Sequence, residues 1–214
     1  MKAVTTRAEI VSRLYEHVWE NGHTATSIGD IAGKAGILKG SFYNYFTDKA
    51  DFTDAILEKY AQEWSAFMRN QLLSPEPMKA RFKHLFAALR RRYRDESFLL
   101  RGCLAGNLCQ ERARNDKGFA ERVEKVFALV ELIIHAALQA GQKEGSLPKR
   151  ANIDQISRFI LNSLQGALLR MKSVRSVLPL NDLEAHLEAF VFQKKKQNVG
   201  KTGSPKRSTK RARA

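Results

Sequence analysis

An all-α fold is predicted for this 214-residue chain, on three observations. Apolar residues recur at three- and four-residue spacing along almost its whole length, as they do in amphipathic helices. No segment alternates apolar and polar residues at period two for long enough to make a strand. The interruptions carry Gly, Pro, Asn and Ser, residues that cap or stop helices. With 43% hydrophobic residues the chain has ample material for a core.

In order along the chain, Ile10, Leu14 and Val18, with Val11 and Tyr15, lie four apart and predict a first helix from Thr5 to Asn21. Asn21-Gly22 stops it. Ser27 and Asp30 have the spacing of a capping box and open a short helix that ends at Gly36. Another short helix is expected from about Lys39 to Tyr45. Thr47-Asp48 then caps a long one, from Lys49 to about Leu73, before Ser74-Pro75-Glu76-Pro77 interrupts the chain. Further helices are expected at about 78–94, 103–113, 118–144, 153–174 and 181–196. The breaks between them fall at Asn115-Asp116, Gly145 to Pro148 and Leu178-Pro179. From Asn198 onward large apolar residues are nearly absent, so that segment cannot offset the entropy of ordering and is expected to stay disordered. The organisation expected is a small head (1–47), a helical body (48–197) and a basic tail (198–214).

The formal charge is +15, and the stretch from Lys194 to Ala214 holds six Lys and three Arg with no acid. That sign suits nucleic acid or an anionic membrane surface. The apolar runs VFALV and LIIHAAL are broken by Glu131 and too short to span a bilayer, and MKAVTTRAEIV lacks a signal-peptide core. A soluble cytoplasmic protein is expected. Two cysteines, Cys103 and Cys109, are too few for a disulfide framework and are expected as thiols. No metal or cofactor site is predicted.

The stretch from Thr26 to Phe46 carries the clearest chemistry. Ile28, Ile31 and Ala32 face inward, Gly36 turns the chain, and Phe42 and Phe46 anchor the next segment. Lys39, Gly40, Ser41, Tyr43 and Asn44 are left toward solvent, as types suited to phosphates and base edges. Gly40 is read two ways: as a close approach to a groove, or as an inexpensive first-turn residue. With Thr47 to Phe52 after it, the stretch resembles the DNA-binding domain of the TetR family, from about Ile10 to Leu57. The resemblance implies that Lys39–Phe46 is the recognition helix and that Tyr43 and Lys49 hold phosphates. It implies also that Thr26 and Ser27 meet the DNA backbone. Gly29 and Leu38 depart from the family pattern, removing one basic or polar side chain and the cap of the recognition helix.

The same resemblance implies an all-α homodimer on a palindromic double-stranded operator, its last two long helices paired and its middle helices around an inducer pocket. Ile153, Ile156, Phe159, Ile160, Leu164, Ala167 and Leu168 offer a broad apolar face for such pairing or for a core, with Ser163 and Gly166 allowing close approach. The aromatics Trp64, Phe67, Phe82, Phe86, Tyr93, Phe98, Phe119 and Phe127 read first as core. The segment from Arg101 to Glu111 resembles TetR-type repressors of the NemR kind, which sense electrophiles or oxidants. This makes Cys103, with Asn107 and Cys109, the candidate ligand or redox site. Gly102 is expected to end one segment and place Cys103 in the first turn of the next, where the helix N-terminus and Arg101 would lower its pKa. The alternative readings are a buried inert thiol, an all-α thiol enzyme using Cys103, or a sequence-indifferent basic nucleoid protein.

Overall fold

The computed structural model describes residues 6–192, and every regular element among them is helical. Helix α1 (Arg7–Asn21) opens on a capping box between Thr6 and Glu9. Helix α2 (Ile28–Ala35) opens on the expected Ser27–Asp30 box. It closes at Gly36, which takes a left-handed φ of 74° that a side chain would resist. The next segment, Lys39–Asn44, is a 3-10 helix rather than an α-helix, and Leu38 gives it no side-chain cap. Asp48 caps α3 (Lys49–Leu72) by accepting from the Asp51 amide. Helix α4 (Met78–Arg92) starts directly after Pro77.

Three features differ from the sequence reading. A one-and-a-half-turn helix, α5 (Glu96–Arg101), starts at an Asp95 cap in a region expected to be irregular. Helix α6 (Leu104–Arg112) follows at once, with Cys103 itself as N-cap. The Leu178-Pro179 pair, expected as a break, instead begins α9 (Leu178–His186), because Pro in a first turn gives up no hydrogen bond. Helix α9 runs into a π-helical turn, Leu187–Val191. The rest of the expected 181–196 helix and the 198–214 tail lie outside the described residues. Between these come α7 (Lys117–Lys143), capped by Asp116, and α8 (Ile153–Val174), capped by Asn152.

One apolar core runs without interruption from head to body. Ile10, Leu14, Ile31, Phe42 and Phe46 hold α1, α2 and the 3-10 segment together. Phe42 stacks on Phe46, and both meet Phe52 of α3 edge-on, which fixes the 3-10 segment against the long helix. Each such fully buried side chain stabilises by about 1.5–3 kcal/mol relative to exposure. Helices α3, α7 and α8 pack side by side, with α4 and α6 against them. Among the described residues no helix is long and apolar enough to cross a membrane.

Candidate functional site

The head presents its polar residues as one outer surface. Lys39, Gly40, Tyr43 and Asn44 are exposed and Ser41 half-buried, while Phe42 between them is fully buried. A Cβ added at Gly40 would meet nothing within 4 Å, so no internal contact requires glycine there. Ser27 is exposed at the start of α2, its hydroxyl held by Asp30. Two expected phosphate contacts have other engagements. Thr26 is buried and its hydroxyl donates to the Gly22 carbonyl at 2.7 Å, so its side chain joins α1 to α2 instead of facing outward. The Lys49 ammonium donates to the His23 carbonyl at 3.0 Å, with protons to spare for another acceptor.

The second cluster surrounds the Gly102 corner between α5 and α6. Gly102 has φ 61° and ψ −139°, and a Cβ there would fall 2.8 Å from Cδ of Lys172. Its carbonyl accepts from the Trp19 indole N–H at 3.3 Å and from the Tyr93 hydroxyl at 3.5 Å. The Cys103 sulfur accepts the Gly106 amide at 3.4 Å and lies 3.3 Å from the Tyr60 hydroxyl. Burial pushes this thiol up from its ordinary value; bonds from Tyr60, Gly106, Ala105 and Gln165 offset it only in part. The expected lowering is therefore reversed. The turn at Gly102 sends Arg101 the other way, onto Glu20 and Glu16 of α1 and over the Phe98 ring at 4.6 Å.

A cleft of about 580 Å³ opens beside Cys103 between α6, α7 and α8. Asn107 and the half-buried Cys109 line it, as expected of a ligand site, and both cysteines are free thiols. Asn107 donates to the Arg101 carbonyl at 2.7 Å and accepts from Lys172 at 3.2 Å. The sequence reading missed Arg158, Asn162, Gln165, Leu169 and Lys172, which form the α8 wall. Their signal was present: they recur at steps of four and three along α8, on the face opposite the apolar stripe. Of the middle-helix aromatics only Phe127 lines this cleft. Among the described residues no group of His, Cys, Asp and Glu side chains is arranged to hold a metal.

Two family descriptions fit this architecture. Residues 10–56 match the bacterial regulatory proteins of the tetR family, and residues 79–187 match the tetracyclin repressor-like C-terminal domain. The chain belongs to the TetR family. It is a DNA-binding transcriptional regulator, similar to the HTH-type transcriptional repressor DhaR of Mycobacterium sp. (strain GP1). The two are 27% identical over 182 residues, covering 85% of this chain and 89% of the relative. It is also 23% identical to the repressor NemR of Escherichia coli K12, over 87% of this chain and 94% of NemR. In fold it is similar to the crystal structure of reduced E. coli NemR, with a TM-score of 0.78 at 22% identity over 86% of this chain and 96% of that one.

In this TetR-family regulator α6 bridges cleft and head. At its C-terminal end Glu111 accepts the Thr24 amide at 2.6 Å, in the loop between α1 and α2. Arg112, 6% exposed, reaches Asp54 of α3 at 2.9 Å and Asp116 at 2.6 Å. At its N-terminal end Trp19 holds the Gly102 carbonyl. Of the apolar face expected for pairing, Ile160, Leu164, Ala167 and Leu168 are in the chain's own core. Phe159, His186 and Phe190 are exposed, with ring centroids 5.7 and 4.6 Å apart in sequence.

Proposed function

We propose that this regulator is a cytoplasmic homodimeric repressor, released from a palindromic operator when a small molecule fills the cleft beside Cys103. The observation that carries the reading is the attachment of α6. One two-and-a-half-turn helix lines the cleft and also holds the head, through Glu111 to Thr24, while Arg112 ties its end to Asp54 of α3, the helix that leads out of the head. A ligand that displaces α6 changes where the head sits, and a dimer reads two half-sites only at one spacing.

In this reading Lys39, Gly40, Ser41, Tyr43 and Asn44 enter the groove. Ser27 and Lys49 meet phosphates, and Thr26 positions α2. The exposed Phe159–His186–Phe190 patch belongs to the dimer interface. The head (1–47), the sensing and dimerising body (48–197) and the basic tail (198–214) then divide the work. The tail adds salt-sensitive, sequence-independent affinity.

A reversible ligand fits the cleft better than thiolate chemistry, because burial keeps Cys103 protonated. The position of its side chain in the cleft lining supports a second reading, in which an electrophile adds to its sulfur. Gel shifts on DNA flanking the chain's own gene test both. Discrete palindromic binding is expected. Release by N-ethylmaleimide that Cys103→Ser abolishes favours the covalent reading. Protection confined to no discrete site would sink the proposal.

A further inference from the structure

A second cavity, of about 380 Å³, lies at the joint between head and body, away from Cys103. Tyr15 and Trp19 of α1, Lys59 and Glu63 of α3, Arg92 of α4 and Phe98 of α5 wall it. The Arg92 guanidinium lies among four rings, 5.5 Å from Trp19, 5.9 Å from Trp64, 5.9 Å from Phe67 and 5.2 Å from Phe98. Arg101 sits over the same Phe98.

Two carboxylates, Glu16 and Glu63, also line the cavity, and each already faces a cation, Arg101 and Lys59 respectively. Nε of Arg92, and Nε and Nη1 of Arg101, are buried without hydrogen-bond partners, while the Tyr15 hydroxyl is turned to Glu63. Among the described residues Arg92 has no carboxylate partner, whereas Glu63 is taken by Lys59 at 2.8 Å and Glu20 by Arg101. A guanidinium held by ring faces, with the Tyr93 hydroxyl beside it, still has N–H groups to offer an anion, and planar rings favour a flat apolar body beside it.

We propose that this joint is a second effector site, for a small organic anion whose carboxylate pairs with Arg92 and whose flat apolar body lies against Trp19 and Phe98. Its walls come from both head and body, so an occupant fixes their relative position. Trp19 also bonds the Gly102 carbonyl, next to Cys103, which links occupancy of the joint to occupancy of the cleft in both directions.

The test uses 2-naphthoate with the full chain, followed by titration calorimetry and tryptophan fluorescence. Trp19 and Trp64 are the chain's two tryptophans, and both face Arg92. Saturable binding with a fluorescence change is expected, with neutral 2-naphthamide at least ~10-fold weaker, since a charge-assisted bond is about twice as strong as a neutral one. Arg92→Gln is expected to weaken binding ~10-fold or more. Tyr15→Phe removes a hydroxyl at the cavity wall that Glu63 also engages; the variant should stay folded by circular dichroism while binding weakens about two- to fivefold. Cys103→Ser should bind as the unaltered chain does, which separates this site from the cleft.

Absence of binding, equal affinity for the amide, or loss of binding in Cys103→Ser overturns the proposal. If Arg92→Gln does not fold, Tyr15→Phe decides, and unchanged affinity there overturns it.

Discussion

Replacing Arg112 by Met keeps most of the side-chain volume and removes the charge that fixes the end of α6. The guanidinium is 6% exposed, holds Asp54 and Asp116, and lies 3.9 Å from the centre of the Phe119 ring. Removing one partner of a buried ion pair costs about 3–5 kcal/mol. Here the loss is smaller. Asp54 keeps Arg122 at 2.9 Å, and the Asp54 and Asp116 side chains are 27% and 36% exposed, so water screens what remains. About 2–3 kcal/mol is the expected cost after that screening. For a chain of this size each kcal/mol lowers Tm by about 2–4 °C, so a fall of about 4–12 °C follows. Circular-dichroism melts of the two proteins measure it. A fall below about 2 °C would show that Arg112 is not a structural tie, and the route assigned to α6 would fail with it.

Gly40→Ala should leave Tm unchanged or raise it by up to about 2–4 °C, since the added methyl meets nothing and helical propensity favours Ala by ~1 kcal/mol or less. Weakened operator binding in a gel shift is expected, and unchanged affinity would remove the groove from the explanation of this glycine. Ser27→Ala deletes the α2 capping box and should cost about 1 kcal/mol, read as a lower midpoint in urea. A midpoint equal to that of the unaltered chain would show that the cap contributes nothing. In a Cys109→Ser background, alkylation of Cys103 should rise about tenfold per pH unit from pH 7 to 9, because only the thiolate reacts. A plateau below pH 8 contradicts a thiol pushed up by burial. The same shift predicts a stability contribution that is complete below the unfolded thiol's pKa of about 8.5 and lost as pH rises from there through the folded value. Cys103→Ala should flatten that part of a Tm-against-pH curve.

Local chemistry made most of the head readable in sequence. The Ser27–Asp30 box, the left-handed Gly36, the Asp48 cap and the Phe42–Phe46 anchor each depend on residues within a few positions of one another. The 3-10 form of Lys39–Asn44 was not readable, because an uncapped six-residue segment takes its shape from the core beneath Phe42. Helix α5 was hidden for a similar reason: six residues are too few for a period to show. The direction of Arg101 depended on the φ of Gly102, and the state of Cys103 on Tyr60, 43 residues away. Trp19 and Gly102 are 83 residues apart, and no spacing rule reaches that far. Pro179 was misread because a proline marks the start of a helix as readily as its end.

The Trp19 bond to Gly102 bears on how such regulators are recombined. A chimera cut at residue 47 would carry Glu16, Trp19 and Glu20 away with the reading head and leave Arg101 and the Gly102 carbonyl behind in the receptor half. Such a fused protein would lack the ties between α1 and the α5–α6 corner. Whoever exchanges heads here must graft α1 and the α5–α6 corner together, because specificity and responsiveness share a seam that runs inside the first helix.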